Sequence, residues 1–427
     1  HHIFVFAAGR NGANMAEPQK KLGEKPLAGP LSGRRVPFLA ENLPCPFHTR
    51  VWQEARTIHD AGATVSIICP SAPGYQARYE VVDGIHIHRH PLPFEARRAA
   101  GFLVEYSVAM FWQFVLTWRV FLGRGFDVIH AANPPDLLFL VGGFFKLLFG
   151  RKFIYDQHDI NPELYEAKFG RRDFFYRLLR HCERWSFRLA DISIATNESY
   201  YRIALERGGR ATDKVFVVRS GPDLDRMRPR PPDTDWKQGR RFGIGYVGVM
   251  GHQEGLHHLL ATVDYLVHEQ GREDIQFICI GDGPERTHLI ALARDLGIED
   301  HVSFPGRLSD DKMAATLCGA DICVNPDDAN EMNDKSTMLK IMEYMALGKA
   351  VVQFDLTEGR VSAQDAALYA RPNDAVDLGS KIVTLLADPE ACQRMGALGR
   401  ARVENQLAWR YEAPKLLAAY AALWPQT

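Results

Sequence analysis

Residues 333–352, Asn-Asp-Lys-Ser-Thr-Met-Leu-Lys-Ile-Met-Glu-Tyr-Met-Ala-Leu-Gly-Lys-Ala-Val-Val, constrain the fold more than any other stretch. They read as a polar loop, one helix, a glycine stop and a buried strand. Ser336 or Thr337 is placed to cap the helix by accepting from its free N–H groups. Leu339, Met342, Tyr344, Met345 and Leu347 cover most of the helix surface, which predicts a largely buried helix. Gly348 ends it, and Val351-Val352 start the strand. A helix of this kind, passing straight into an apolar strand, belongs to a layered α/β fold.

Two kinds of polar group stand out in the run. The free N–H groups and positive dipole end near residues 336–338 suit a phosphate. Lys335 and Lys340 add charge to such a site, and Glu343, two turns on, has the geometry to accept two ribose hydroxyls. The plainer alternative is an ordinary α/β helix with a solvated acid.

With 427 residues the chain exceeds what one core supports, so two domains are expected. A net charge of −1 gives no pull toward nucleic acid. Seven cysteines without a CxxC pair or framework spacing favour a reducing, cytoplasmic compartment. Residues 1–32, rich in Pro, Gly and Lys toward their end, are set aside as a disordered leader. No run of 18 uninterrupted apolar residues occurs, which argues against a spanning helix.

In order, a strand at 36–40 enters the loop holding Asn42 and His48; a helix from Val51 to Ala61 and a strand at 64–69 follow. This is the start of a doubly wound sheet, with a second α/β half beginning at Phe242. Arg50 reads either as a solvated residue of a first helical turn or as a cation facing a cleft. His86, His88 and His90 share one face of a short strand, but no cysteine or acidic partner joins them, so metal is not expected. The apolar segments 101–122 and 137–149 read as core helices or as a surface leaning on a membrane. Arg97, Arg98, Arg119 and Arg124 flank the first, and residues 96–190 hold 14 Lys and Arg against 9 Asp and Glu. A composition shift to Pro, Arg, Asp and Gly at 226–241 reads as a linker. Gly243, Gly245 and Gly248 have the spacing of a phosphate cradle, but the pattern starts inside the strand.

The segment ending in Glu343-Tyr344-Met345-Ala346-Leu347-Gly348-Lys349-Ala350-Val351-Val352 resembles the donor motif of retaining glycosyltransferases of family 4, of the bacterial surface-polysaccharide type. That motif usually reads Glu, seven residues, Glu, then Ala-x-Gly-x-Pro-Val-Val. Glu343 matches the second glutamate, Lys335 stands in place of the first, and Ala350 in place of proline. Further similarity lies in Asp127-Val128-Ile129-His130, in the strand end Tyr155-Asp156-Gln157-His158, and in Gly281-Asp282-Gly283-Pro284. The resemblance covers roughly residues 35–425.

It implies two Rossmann-like domains facing a cleft, the GT-B fold, with a last helix packing back on the first. The boundaries it suggests are an acceptor-side domain at 33–222, a linker at 223–241, a nucleotide-sugar domain at 242–406 and a crossover helix at 407–427. It implies transfer of a sugar, with retention and without metal or cofactor, from a nucleoside-diphosphate donor, UDP favoured over GDP. The acceptor is a hydroxyl of a lipid-linked saccharide, reached at the cytoplasmic membrane surface. His158 is expected to reach the transferred sugar. Gly248, Arg307, Lys335, Ser336, Thr337, Lys340 and Glu343 are expected on the donor, and Asn42, His48 and Arg50 toward the acceptor or cleft. The two loop cations usual in the family are replaced by Val249 and Glu254, so Arg307, Lys335 and Lys340 are the expected stand-ins. A catalytically silent nucleotide-binding scaffold and a UDP-sugar epimerase are the rival readings.

Overall fold

The computed structural model describes residues 29–91 and 99–424, and side chains in that range except those of residues 99–106. Most of the leader, and Arg97 and Arg98, lie outside the described residues. The chain divides into two compact units: one runs to Arg219 and resumes at Glu412, and the other spans Ser220–Tyr411.

The first unit alternates strand and helix. Its elements are β1 (Arg35–Ala40), α1 (Thr49–Asp60), β2 (Thr64–Pro70), β3 (Tyr79–Val82), β4 (Ile85–His90), α2 (Ala99–Arg124), β5 (Val128–Ala132), α3 (Phe139–Phe149), β6 (Lys152–Gln157), α4 (Asn161–Phe169), α5 (Phe174–Leu189), β7 (Ile192–Ala195), α6 (Glu198–Glu206) and β8 (Val215–Val217). The sheet order is β3-β4-β2-β1-β5-β6-β7-β8, parallel except for β3 against β4. Strands buried on both faces need continuous apolar runs, and Phe38, Leu39, Ile67, Ile68, Phe153 and Ile154 are all fully buried.

The second unit contains β9 (Phe242–Val247), α7 (Leu256–Asp264), β10 (Ile275–Ile280), α8 (Arg286–Asp295), β11 (Val302–Gly306), α9 (Asp310–Gly319), β12 (Ile322–Asn325), α10 (Glu331–Lys335), α11 (Leu339–Ala346), β13 (Ala350–Phe354), α12 (Thr357–Ala363), β14 (Ala367–Ala370), α13 (Ala375–Leu386) and α14 (Pro389–Arg402). Its sheet, β11-β10-β9-β12-β13-β14, is wholly parallel. Cores built on Leu259, Val263, Ile275 and Phe277, and on Leu317, Ile341, Met342 and Met345, fill its two faces.

The final helix, α15 (Trp409–Ala421), carries the chain back into the first unit. There the Tyr420 hydroxyl lies 2.8 Å from Nδ1 of His130 on β5, and the Arg34 guanidinium stacks on Trp424 at 4.0 Å. The doubly wound architecture and returning helix implied by the resemblance are therefore present.

Local readings are corrected in three places. The cap position of α11 falls on Met338, whose side chain makes no capping bond, while the Ser336 hydroxyl donates to the Met332 carbonyl at 2.7 Å, closing the short α10 before it. Gly243 and Gly245 are packing glycines rather than a cradle: a Cβ on Gly243 would lie 2.5 Å from Trp236, and one on Gly245 would lie 2.9 Å from Leu317. The apolar segments of α2 and α3 are core helices on one side only. Phe114, Trp118, Phe121, Phe144 and Phe145 pack ring against ring between them, while Phe111, Leu122, Leu147 and Leu148 stay exposed.

Candidate functional site

In the first unit the predicted residues His48, Arg50 and His158 come together at the carboxyl ends of the strands. His48 precedes α1, and its Nδ1 faces the Val51 N–H at 3.5 Å. Its ring meets that of His158 edge-on, centroids 5.6 Å apart. Arg50, in the first turn, is neither solvated nor an open cation. It is buried, its Nη2 lies 3.0 Å from Glu54 and 3.3 Å from Asp156, and its Nη1 donates to the Val218 carbonyl at 2.9 Å. Asn42, in the loop after β1, is half-buried.

Asp156 at the end of β6 is the hub. Its Oδ2 receives Nε2 of His158 at 2.6 Å and Nε2 of His130 at 3.2 Å. Burial would raise the Asp156 pKa, but the charges of His158 and Arg50 and the histidine hydrogen bonds hold it well below the carboxylate range. Glu54 takes the opposite course: burial, then the Asp156 charge, push it well above its ordinary value. Burial also lowers the His130 imidazole. Two neighbouring carboxyls, one pushed down and one pushed up, thus face one arginine and two histidines, the separation that assigns distinct roles to neighbouring acids.

The loop bearing His158 is held by Asn133. Its Oδ1 accepts from the N–H groups of His158 (2.6 Å) and Asp159 (3.0 Å), and its Nδ2 donates to Asp136 and to the Asp159 carbonyl. Glu54, His130 and Asp156 were not singled out from sequence. Glu54 stands four residues after Arg50 on one helix face, and Asp156 two before His158; those spacings were the available signal.

In the second unit Gly248 and Lys340 meet. A Cβ on Gly248 would lie 2.6 Å from the Tyr246 hydroxyl and 3.4 Å from Lys340 Nζ. Lys340 is not an open phosphate ligand, however. Its Nζ is buried between Glu254 (2.5 Å) and Asp327 (2.8 Å), under the Tyr246 ring at 5.0 Å. Burial raises Asp327 to about 7 despite Lys340, with Glu254 pushing the same way. The glutamate replacing the loop cation is therefore matched by a lysine from α11, an exchange of charge between two elements.

Glu343 is nearly buried on α11, and its Oε1 lies 3.1 Å from Arg226, which also reaches Asp310 at 3.0 Å. Lys335 pairs with Glu331 at 2.6 Å across one helical turn. Thr337 is half-buried in the α10–α11 junction, and Arg307 is exposed just after β11. Gly348, at a φ of +72°, takes the left-handed conformation that closes α11.

The strand histidines take separate partners. His86 meets the Tyr79 hydroxyl at 2.9 Å and His90 the Gln113 amide at 3.2 Å, and burial lowers His88 and His90 to about 4. All seven cysteines are free. Among the described residues no helix is long and apolar enough to cross a membrane.

Comparison with known proteins agrees with this architecture. Residues 47–221 match the family described as glycosyl transferase 4-like domain, and residues 241–388 that described as glycosyl transferases group 1. A 2-deoxystreptamine glucosyltransferase of Streptomyces kanamyceticus is 27% identical over 57% of this chain and 63% of its own length. The chain thus spans under two thirds of that relative. Sucrose-phosphate synthase from Thermosynechococcus elongatus superposes with a TM-score of 0.76 at 18% identity, over 91% of this chain and 99% of that one. Anabaena HepE, solved in complex with UDP and glucose, superposes with a TM-score of 0.69 at 17% identity, over 90% and 99%. With both family descriptions spanning well over half of it, the chain belongs to the family 4 glycosyltransferases of GT-B fold.

Proposed function

We propose that this glycosyltransferase moves a hexosyl or N-acetylhexosaminyl group from a nucleoside-diphosphate donor, UDP over GDP, to a hydroxyl of a lipid-linked saccharide, with retention and without metal in the transfer. The observation that carries the donor reading is Glu343, a nearly buried acid of α11 paired with Arg226, to which we assign the acceptance of two ribose hydroxyls. HepE, of the same fold, binds UDP, which supports the choice of nucleotide. The N–H groups at the start of α11 supply donors for the diphosphate, with Gly248, Arg307, Lys335, Ser336 and Thr337 around them. His158, backed by ionised Asp156, donates from an oriented imidazole to the sugar as charge develops.

The acceptor reading rests on the outer face of the first unit. Helix α5 exposes Phe174, Phe175, Leu178 and Trp185 among exposed Arg177, Arg180, Arg184 and Arg188. Helix α3, which packs against α5, exposes Leu147 and Leu148. Aromatic and aliphatic side chains interleaved with arginine suit a membrane surface carrying anionic headgroups, so the proposed place of action is the cytoplasmic face of a membrane. The scaffold reading is favoured by one observation alone: Lys335, in place of a donor-binding glutamate, is satisfied by Glu331.

The test is release of nucleotide from a panel of UDP- and GDP-sugars, with and without membrane lipid extract. One donor turned over, faster with lipid, is expected. Nucleotide bound without release from any donor would transfer support to the scaffold.

A further inference from the structure

A second cluster of ligating side chains lies in the Ser220–Tyr411 unit, apart from the groups assigned to the donor. His257 and His258 open α7, directly after the loop that leaves β9, and Asp328 follows β12, the strand beside β9. Both imidazole Nε2 atoms converge on one oxygen, Oδ1 of Asp328, at 3.4 Å and 3.0 Å. The three ligand atoms lie within 4.8 Å of one another. That carboxylate oxygen is buried and accepts no hydrogen bond of acceptable geometry. A buried acceptor left unsatisfied between two ring nitrogens is costly unless something else fills the gap.

We propose that His257, His258 and Asp328 form a binding site for a divalent transition-metal ion, with zinc the best match. Zinc binds histidine nitrogen and carboxylate oxygen at about 2.0–2.2 Å, so two ligand atoms across a tetrahedral angle stand roughly 3.3–3.5 Å apart. The observed separations sit close to that spacing, and the longer one exceeds a hydrogen bond. The imidazole–carboxylate set suits zinc, and three protein ligands leave one position for water or an anionic oxygen.

The ligands are held in place before any ion arrives. The Asp328 N–H donates to the Gln253 carbonyl at 3.2 Å, while Asn333 Nδ2 donates to the carbonyls of Asp328 and Gln253, each at 2.8 Å. The His258 ring stands edge-on to Phe354, centroids 5.5 Å apart. His252 stacks on His257 with centroids 5.4 Å apart, which helps to fix that ring.

The other group of comparable spacing, Glu54, Asp156 and His158, is a different case. There the Arg50 guanidinium supplies the positive charge and His158 hydrogen-bonds Asp156 at 2.6 Å. Among the described residues, Asp328 pairs with the two histidines and with no arginine or lysine.

The test needs no donor or acceptor, so it stands or falls separately from the transfer reaction. The full chain is treated with chelator, dialysed, and titrated with zinc by calorimetry and with cobalt by absorption spectroscopy. One ion per chain is expected, with tetrahedral-type cobalt bands. At least tenfold weaker binding is expected for His257→Ala, and loss of the bands for His258→Ala and Asp328→Asn. Circular dichroism of each variant checks folding, and half-buried His257 at the start of a helix is the safest substitution. Zinc binding that is absent, or equally tight in wild type and a folded His257→Ala variant, overturns the proposal.

Discussion

Nε2 of His158 lies 2.6 Å from Oδ2 of Asp156, a carboxylate that also serves His130 and Arg50. The pair fixes which nitrogen of His158 is committed inward, leaving the other edge of the ring to act. On the proposed reading, removing His158 subtracts the group that donates to the sugar and leaves the residues assigned to the nucleotide in place. For His158→Ala we expect turnover to fall about a hundredfold, the scale of one lost transition-state hydrogen bond, with nucleotide affinity unchanged by calorimetry. Equal turnover in the folded variant would dismiss His158 from the reaction.

Asp156→Ala is a test of stability. A buried arginine stripped of its ionised partner costs about 3–5 kcal/mol. Glu54, 3.0 Å from Arg50, is poised to ionise in place of Asp156 and recover part of that loss. The expected destabilisation is therefore near the lower end, about 3 kcal/mol, read from urea midpoints. Removing Glu54 as well should cost more than the separate losses predict.

Glu343→Ala is expected to weaken nucleotide binding by about 1.5–3 kcal/mol, the worth of a hydrogen bond to a charged group. Arg226 keeps Asp310 as a partner at 3.0 Å, so the substitution leaves no buried cation behind. Unchanged affinity in the folded variant would remove Glu343 from the donor site.

Asp327 predicts a pH dependence. Its pKa rises from about 3.9 in an unfolded chain to about 7 in the fold. Between those values the folded state binds the extra proton, so stability declines as pH rises from about 4 to about 7. Asp327→Asn should flatten that decline. Denaturation midpoints at pH 5 and pH 7.5 measure it, and a wild-type slope retained by the variant would assign the effect elsewhere.

The α5 surface predicts salt-sensitive vesicle binding. Exposed basic residues near an anionic membrane contribute about 1 kcal/mol each. Replacing Arg177, Arg184 and Arg188 by glutamine should lower binding to phosphatidylglycerol vesicles about a hundredfold and leave phosphatidylcholine controls unchanged. Cosedimentation at low and high salt reads the difference.

The layered architecture was legible because its signals are local. Val351, Val352 and Gly348 announce a strand and a helix end within a few residues, and α11 is buried along nearly its whole length as its composition requires. What escaped was the partnership of charges. Lys340 reads as a free cation beside a phosphate site, yet its partners Glu254 and Asp327 come from other elements. Arg50 reads as a solvated residue or a cleft-facing cation for the same reason, since Asp156 is 106 positions away. Single-sequence periodicity places a side chain on a face but does not say which distant carboxylate the fold brings to meet it. The α11 cap differs for a local reason: the cap position falls on Met338, past the Ser336-Thr337 pair.

The bond between Tyr420 and His130 has a consequence for synthesis. A ribosome makes β5 long before it makes α15, and His130 waits through the whole Ser220–Tyr411 unit for its tyrosine. Of the two units, the one that holds β5 is thus closed only after the other has been made. While the nascent chain is still being extended, the Asp156 network is one member short, and a premature stop codon just ahead of position 420 would strike the unit whose strands were made well before it.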